Sequence, residues 1–364
     1  MSDPTQVNLS GPIDLIALVP HLLGYQPDDG DIVVLGMRED IIVMTACTDF
    51  GDVPVGLEQQ AVVGALAGPV GHARIDAAAV VGYGEPEHIG AAMDSLRDFL
   101  SARDIRIVDA IRVFGGRYYP HIPAGWETLL SGGMARVMDG VTDGVMAGVM
   151  DGVMAGVPFD TATAAVTAAM VHSGSMAQPN RAAVAEQFLP VTGTERADMH
   201  AATLRARHRL QHMTGGIPDP AAAIEHAGRT AAALVYGRHR NGDRITDDEA
   251  AWLTVLLTDT AVRDHVWRHT HGHHGHLTLW TDLTRRAEPD LVAAPASLLA
   301  CAAWRMGNGT IANIALDRAL DADPTYKMAR LLQVALSTGM PPTVIGERFR
   351  LAEDPLDPNG SDAD

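Results

Sequence analysis

Six histidines fall in one short run of this chain, His265-x3-His269-x-His271-x-His273-His274-x-His276. Residues at i and i+4 share one face of a helix. Helices present two imidazoles to a divalent metal in this way, so His265 and His269 are the candidate metal ligands. Asp259, Asp264 and Asp282 stand nearby as carboxylate donors. No glutamate lies between the pair in HExxH register, so the zinc-protease template fails. The HTHGHHGH stretch is interrupted by glycines and reads as a flexible loop, of a composition that collects metal adventitiously. A divalent metal is the one cofactor the residues suggest.

A second group consists of charged residues in apolar or aromatic settings: Asp49, Asp109, Arg112, Arg117, Tyr118, Trp280, Asp282, Arg285 and Arg286. Arg117 follows a tight turn among aromatics, and its guanidinium fork suits a carboxylate or phosphate. The structural alternative is that it pairs with an internal aspartate to fix a corner of a sheet. Asp49, Arg117, Tyr118, Trp280, Asp282 and Arg285 form the candidate ligand-binding set. No catalytic residue can be named. The acidic turn Asp28-Asp29-Gly30-Asp31 runs into an apolar strand where a calcium loop needs ligands. Gly82-x-Gly84 lacks the third glycine and the distal acid of a dinucleotide fingerprint. There is no Walker A sequence and no Gly-x-Ser-x-Gly elbow. His172-Ser173-Gly174-Ser175 is ordinary loop chemistry.

The elements that must hold these residues are set by patterning. Ser10 reads as an N-cap with Pro12 just inside the helix, and Pro20 should end or kink that helix near Val19, with His21-Leu22-Leu23 as a last turn before Gly24. The run from Asp14 to Met37 joins this helix to a turn and an apolar strand. Ile32–Met37 and Ile41–Cys47, joined by Arg38-Glu39-Asp40, read as an antiparallel hairpin. Val55–Leu66 and Glu85–Arg103 read as helices. Asp76–Tyr83 is a strand apolar enough for burial on both faces. Ile105, Ile107, Asp109, Ile111 and Val113 alternate, placing all five on one face, with Gly115-Gly116 turning into a return strand at Arg117.

Beyond Trp126 the pattern holds no strand. Val137–Val157 repeats a four-residue unit (VMDG, VTDG, VMAG) and reads as an expanded linker, since its glycines each cost a helix about 1 kcal/mol. From Thr161 the chain is helical, with a capping box at Thr246–Glu249. The expected organisation is an α/β domain with a mixed sheet over 1–125, a linker over 126–160, an all-α domain over 161–350 and a disordered acidic tail over 351–364.

The chain has 364 residues, 47% hydrophobic and 20% charged, and a net charge of −18. Such a chain repels polyphosphate, which argues against nucleic acid as a partner. Cys47 and Cys301 lie far apart in buried-looking runs, so no disulfide framework exists and a cytoplasmic setting is expected. No window is long and apolar enough to span a membrane, and the first ten residues lack the pattern of a signal peptide.

The run LIALVPHLLGYQPDDGDIVVLG resembles the signature of an actinobacterial family known as domain of unknown function number 4192. The resemblance continues through Thr48-Asp49, Gly116-Arg117-Tyr118-Tyr119, Asn180-Arg181-Ala182, Leu279–Arg285 and Leu298–Gly309. Three departures stand out. Gly30 and Asp31 occupy a place where serine is common, Pro120-His121-Ile122-Pro123 replaces a cysteine-containing segment, and the VMDG repeat is an insertion. The resemblance implies the fold and no activity. Ala300–Pro324 also resembles a tetratricopeptide helix pair, too short for the repeat and present once, so it reads as an ordinary helical hairpin.

With no assembled catalytic set, the expected function is non-enzymatic binding of a protein partner or small ligand, and a homo-oligomer is compatible with that. The alternatives are an enzyme with an inter-domain pocket using Asp49, Arg117 and Asp282, and a metal-binding protein using the histidine run.

Overall fold

A computed structural model describes Leu9 and residues 11–49, 58–121, 155–172 and 176–344. The Ser10 cap, the Asp49 side chain, the start of the 55–66 helix, Ser173–Ser175, nearly all of the VMDG repeat and the acidic tail lie outside the described residues. The chain forms two compact units, Met1–Val184 with Ser337–Gly339, and Ala185–Leu336 with Met340–Asp364.

In the first unit α1 (Pro12–Leu23) does not stop at Pro20; it runs on to Leu23 and closes at Gly24, whose φ of 83° no side chain adopts readily. Proline there forfeits one bond, to the Ile16 carbonyl. A buried face including Leu15, Leu18, Val19 and Leu23 outweighs that loss. Strands β1 (Asp31–Arg38) and β2 (Ile41–Asp49) form the expected hairpin. Its turn places Glu39 and Asp40 at φ 53° and 63°, the left-handed pair of a tight hairpin. There follow α2 (Glu58–Ala73), β3 (Ala77–Tyr83), α3 (Pro86–Ser101), β4 (Arg106–Phe114) and β5 (Arg117–Pro120).

The sheet is mixed, in the order β2-β1-β3-β4-β5-β6, with β3 and β4 parallel and the other pairs antiparallel. The sixth strand, β6 (Val157–Pro158), corrects the expectation of no strand after Trp126. Two residues are too few to leave an alternation in the sequence.

A second correction concerns β4. Ala78 pairs with Ile107 but Ala79 with Asp109, so Val108 is a bulged residue without a partner. From Asp109 onward the bulge exchanges the two faces of the strand. Ile105, Ile107 and then Ala110 pack with Leu96 and Phe99 of α3 in one core. Asp109 and Ile111 therefore fall on the other face from Ile107. Helix α1 and α4 (Ala165–His172) pack together, Ala17 and Leu18 meeting Ala164 and Val166.

Helix α5 (Arg181–Glu186) crosses the boundary between units. The second unit is helical throughout its described length: α6 (Gly193–Thr214), α7 (Pro220–Arg240), α8 (Asp247–Leu256), α9 (Thr260–Arg268), α10 (His274–Arg286), α11 (Ala293–Arg305), α12 (Gly309–Ala322) and α13 (Lys327–Ser337, whose last residue belongs to the first unit). Its centre is α11, buried from Ala293 to Trp304. Alanines at 293, 294, 296, 300, 302 and 303 let neighbours approach closely. Cys301 is buried and accepts a bond from Trp267 Nε1 at 3.2 Å, and burial raises its thiol pKa. Cys47, expected to be buried, is only half-buried.

Caps fix where these helices begin. Thr246 and Glu249 form the expected box at α8. The histidine stretch, expected to be a flexible loop, is instead a bonded turn. His269 closes α9, His273 caps α10 by accepting from the His276 N–H, and His276 Nδ1 accepts from the His271 N–H at 2.7 Å.

Close packing and half-buried histidines each make a measurable difference to stability. At Gly228 of α7 an added Cβ would lie 2.4 Å from Val262 Cγ2 of α9. Gly228→Val should lower stability by about 1–3 kcal/mol in urea unfolding, whereas Gly237→Ala, in open space, should be neutral or stabilising. Burial, then the neighbouring His273 and His271, hold the His276 pKa down at about 4, and His265 is likewise lowered to about 4. Between about pH 6.5 and 4 the unfolded chain binds protons that the folded chain refuses. Stability should fall through that window as pH drops, and His276→Asn should flatten the fall, measured by thermal unfolding across pH.

Candidate functional site

In the second unit a cleft of about 370 Å³ opens between α6, α7 and α8. Its walls follow from helical spacing. On α7, Ala227, Thr230, Ala231 and Leu234 recur at i, i+3, i+4 and i+7 and form one stripe. Leu234 is 49% exposed, an apolar side chain facing the opening. On α8, Asp248 and Trp252 stand four apart, and on α6 so do Arg205 and Arg209. The two pairs match across the contact between these helices. Arg205 donates from Nε and Nη2 to Asp248 Oδ1 at 2.9 and 2.6 Å. Arg209 lies over the Trp252 ring, its guanidinium carbon 4.1 Å from the centroid.

The charges lining the cleft are not equally available. Asp248 is held by Arg205. Glu249 Oε2 accepts from the Thr246 backbone N–H and hydroxyl, and Oε1 lies 2.6 Å from Arg238 Nε. Burial opposes the shift, but those bonds hold the Glu249 carboxyl below its usual range. The Thr230 hydroxyl is turned back onto the His226 carbonyl at 2.9 Å. Of these acids and arginines, Arg209 alone makes no hydrogen bond or ion pair among the described residues. The cleft thus offers one open cation, an aromatic floor and an apolar wall. Stacking occupies the face of a guanidinium and leaves its N–H edge for an anion.

The residues singled out in the sequence are placed elsewhere. Arg117 Nη1 donates to the Ala155 and Gly156 carbonyls at 2.8 and 2.7 Å, fastening β5 to the segment before β6. Tyr118 meets Phe159, with ring centroids 6.3 Å apart. Asp49 ends β2 opposite Asp31. In the second unit Trp280 is fully buried and edge-on to Tyr236 at 6.2 Å. Asp282 accepts from the buried Arg286, which also reaches Asp247 at 3.1 Å. Arg285 Nε donates to the Leu189 carbonyl at 3.2 Å. His265 and His269 do come together, with centroids 4.3 Å apart, and His269 Nδ1 lies 2.8 Å from the His265 carbonyl oxygen. Among the described residues no group of three or more histidines, cysteines, aspartates or glutamates converges as a metal-ligand set.

Sequence reading passed over Arg209, Trp252 and Leu234. The available signal was Leu234 itself, a large apolar residue on the solvent-facing side of an alanine-rich helix.

The family-like opening run builds a second polar cluster, at the end of the sheet. Gly24 turns the chain so that Tyr25, 5% exposed, puts its hydroxyl 3.6 Å from Cys47 Sγ. Tyr25 bridges Gln178, and the Gln26 N–H donates to the Gln178 carbonyl at 2.8 Å. Asp31, buried, accepts from the Asp28 N–H at 2.9 Å. Beside it Tyr83 is buried, and its hydroxyl has no partner among the described residues. Burial first, then Cys47 and Asp31, raise the Tyr83 pKa far above the usual phenol range. Tyr83→Phe removes a buried, unbonded hydroxyl and should leave stability unchanged or raise it by about 1 kcal/mol in urea unfolding. A loss of that size would instead mean that the phenol holds a partner.

No curated protein and no solved structure matches this chain. The opening signature, the strands it feeds and the helices beyond them agree with one family model. That model, described as a domain of unknown function (DUF4192), matches residues 12–343, and the chain belongs to this family.

Proposed function

We propose that this protein is a non-enzymatic cytoplasmic binding protein whose helical unit takes a small ligand in the cleft between α6, α7 and α8. The observation that carries the reading is Arg209, an uncommitted cation stacked on Trp252 in a cleft where Arg205 and Arg238 already neutralise the acids. Its volume of about 370 Å³ lies within the range of small-molecule pockets. An apolar wall with a few placed polar groups is the usual make-up of such sites. The cleft presents recognition groups, and its one hydroxyl, on Thr230, is spent within its own helix. Two free cysteines fit a reducing compartment. No described helix is long and apolar enough to cross a membrane.

A panel of small acids, amines and alcohols, screened by thermal unfolding and ligand-observed NMR, tests this. A ligand at one hundred times its Kd stabilises by about 2.7 kcal/mol, a shift of several degrees. Leu234→Glu, a change at an exposed position, should abolish the shift while keeping the unliganded Tm. Failure of every class to bind, or a shift that Leu234→Glu leaves intact, would refute the cleft as the site.

A further inference from the structure

We infer that the cleft selects a monocarboxylate carried on a small apolar group, a conclusion that rests on the cleft being the ligand site. Asp248 is held by Arg205, and both oxygens of Glu249 are engaged by Thr246 and Arg238. Arg209 is left over, so the cleft is short of one negative charge. An ammonium group would meet an unpaired guanidinium and is disfavoured. A dianion such as a phosphate monoester would bring its second charge beside Asp248 and Glu249, whose own partners are already used. A single carboxylate fits the deficit and matches the fork of the guanidinium.

The walls decide the rest of the ligand. Ala231 and Val235 are buried at the base of the α7 stripe, and Leu234 stands half-exposed at its rim. Trp252, 7% exposed, is covered on one side by Arg209. An apolar group lying against this stripe covers Leu234 and displaces water from it, while its carboxylate meets the edge of Arg209. A purely polar acid would forgo that burial. Either a free acid or the C-terminal carboxylate of a peptide with a large apolar last residue carries this chemistry.

The test is calorimetric titration of the full chain with 3-phenylpropanoate, 3-phenylpropan-1-ol, 3-phenylpropylammonium and phenyl phosphate. The acid should bind about tenfold or more tighter than the alcohol, as expected for a charge-assisted pair, and the ammonium should bind worst. Arg209→Gln should bring the acid down to the level of the alcohol and leave the alcohol unchanged. Arg209→Lys should retain part of the preference. N-acetyl-Gly-Leu with a free or amidated C-terminus separates the two sources: a free acid as the ligand leaves both forms weak, whereas a chain end makes only the free form bind. Equal binding of alcohol and acid, or a preference that survives Arg209→Gln, would overturn the carboxylate assignment and leave the cleft standing. Binding by none of the probes would remove both.

Discussion

The first unit depends on two strands that are closed to water on both faces. From Ile32 to Leu35 and from Ala77 to Val81 the side chains of β1 and β3 are at most 2% exposed. Such a pair must be covered above and below, and the helices that cover it need room. Small residues supply it. At Gly82 an added Cβ would fall 2.6 Å from Met93 Sδ, and at Gly36 2.7 Å from Ile75 Cγ2, so α3 and the chain entering β3 rest directly on the backbone of the sheet. The alanine run of β3 serves the same close approach. The arrangement places helices where they shelter the sheet, and the polar groups of the unit are pushed to its ends, where Tyr25, Asp31, Cys47 and Tyr83 collect.

The second unit solves burial with helices alone, and it also needs small residues at its centre. There α11 is almost wholly dry, and its alanines and Cys301 keep the neighbouring helices near. Around that centre the charged residues are largely satisfied locally. Arg286 is bound by Asp282 and Asp247, and Glu288 by Arg196 at 2.7 Å and His200 at 3.2 Å. Among the acids and arginines of the cleft, Arg209 alone has no such partner among the described residues. The value of Arg209 as a signal comes from how thoroughly its neighbours are paired.

Much of the fold could be read from the chain because its signals are local. Glu39-Asp40 between two apolar runs marks a hairpin, Gly24 ends a helix, and Thr246 with Glu249 starts one. The features that escaped are those in which tertiary context overrides a local rule. At Pro20 the local rule leaves an end and a kink open, and the buried face on either side carries the helix through. The bulge at Val108 is invisible because an extra residue changes pairing without changing composition. At the cleft the reason is different. Trp280 and Asp282 draw attention by residue type, yet the Asp282 carboxylate is taken by an arginine one turn along its own helix. Arg209 and Trp252 are ordinary members of separate helices, and only the packing of α6 on α8 makes them a pair.

The bridge between Tyr25 and Gln178 has a consequence for how the chain is made. The hairpin of β1 and β2 closes through near neighbours, and β3 and β4 need only the α3 crossover between them. The turn after α1, by contrast, finds its backbone partner only at Gln178, and Val166 reaches Ala17 and Leu18 from almost as far along the chain. During synthesis the sheet emerges with one flank of α1 uncovered and the Gly24 and Gln26 backbone groups unbonded. The first unit therefore matures late, once Gln178 has left the ribosome.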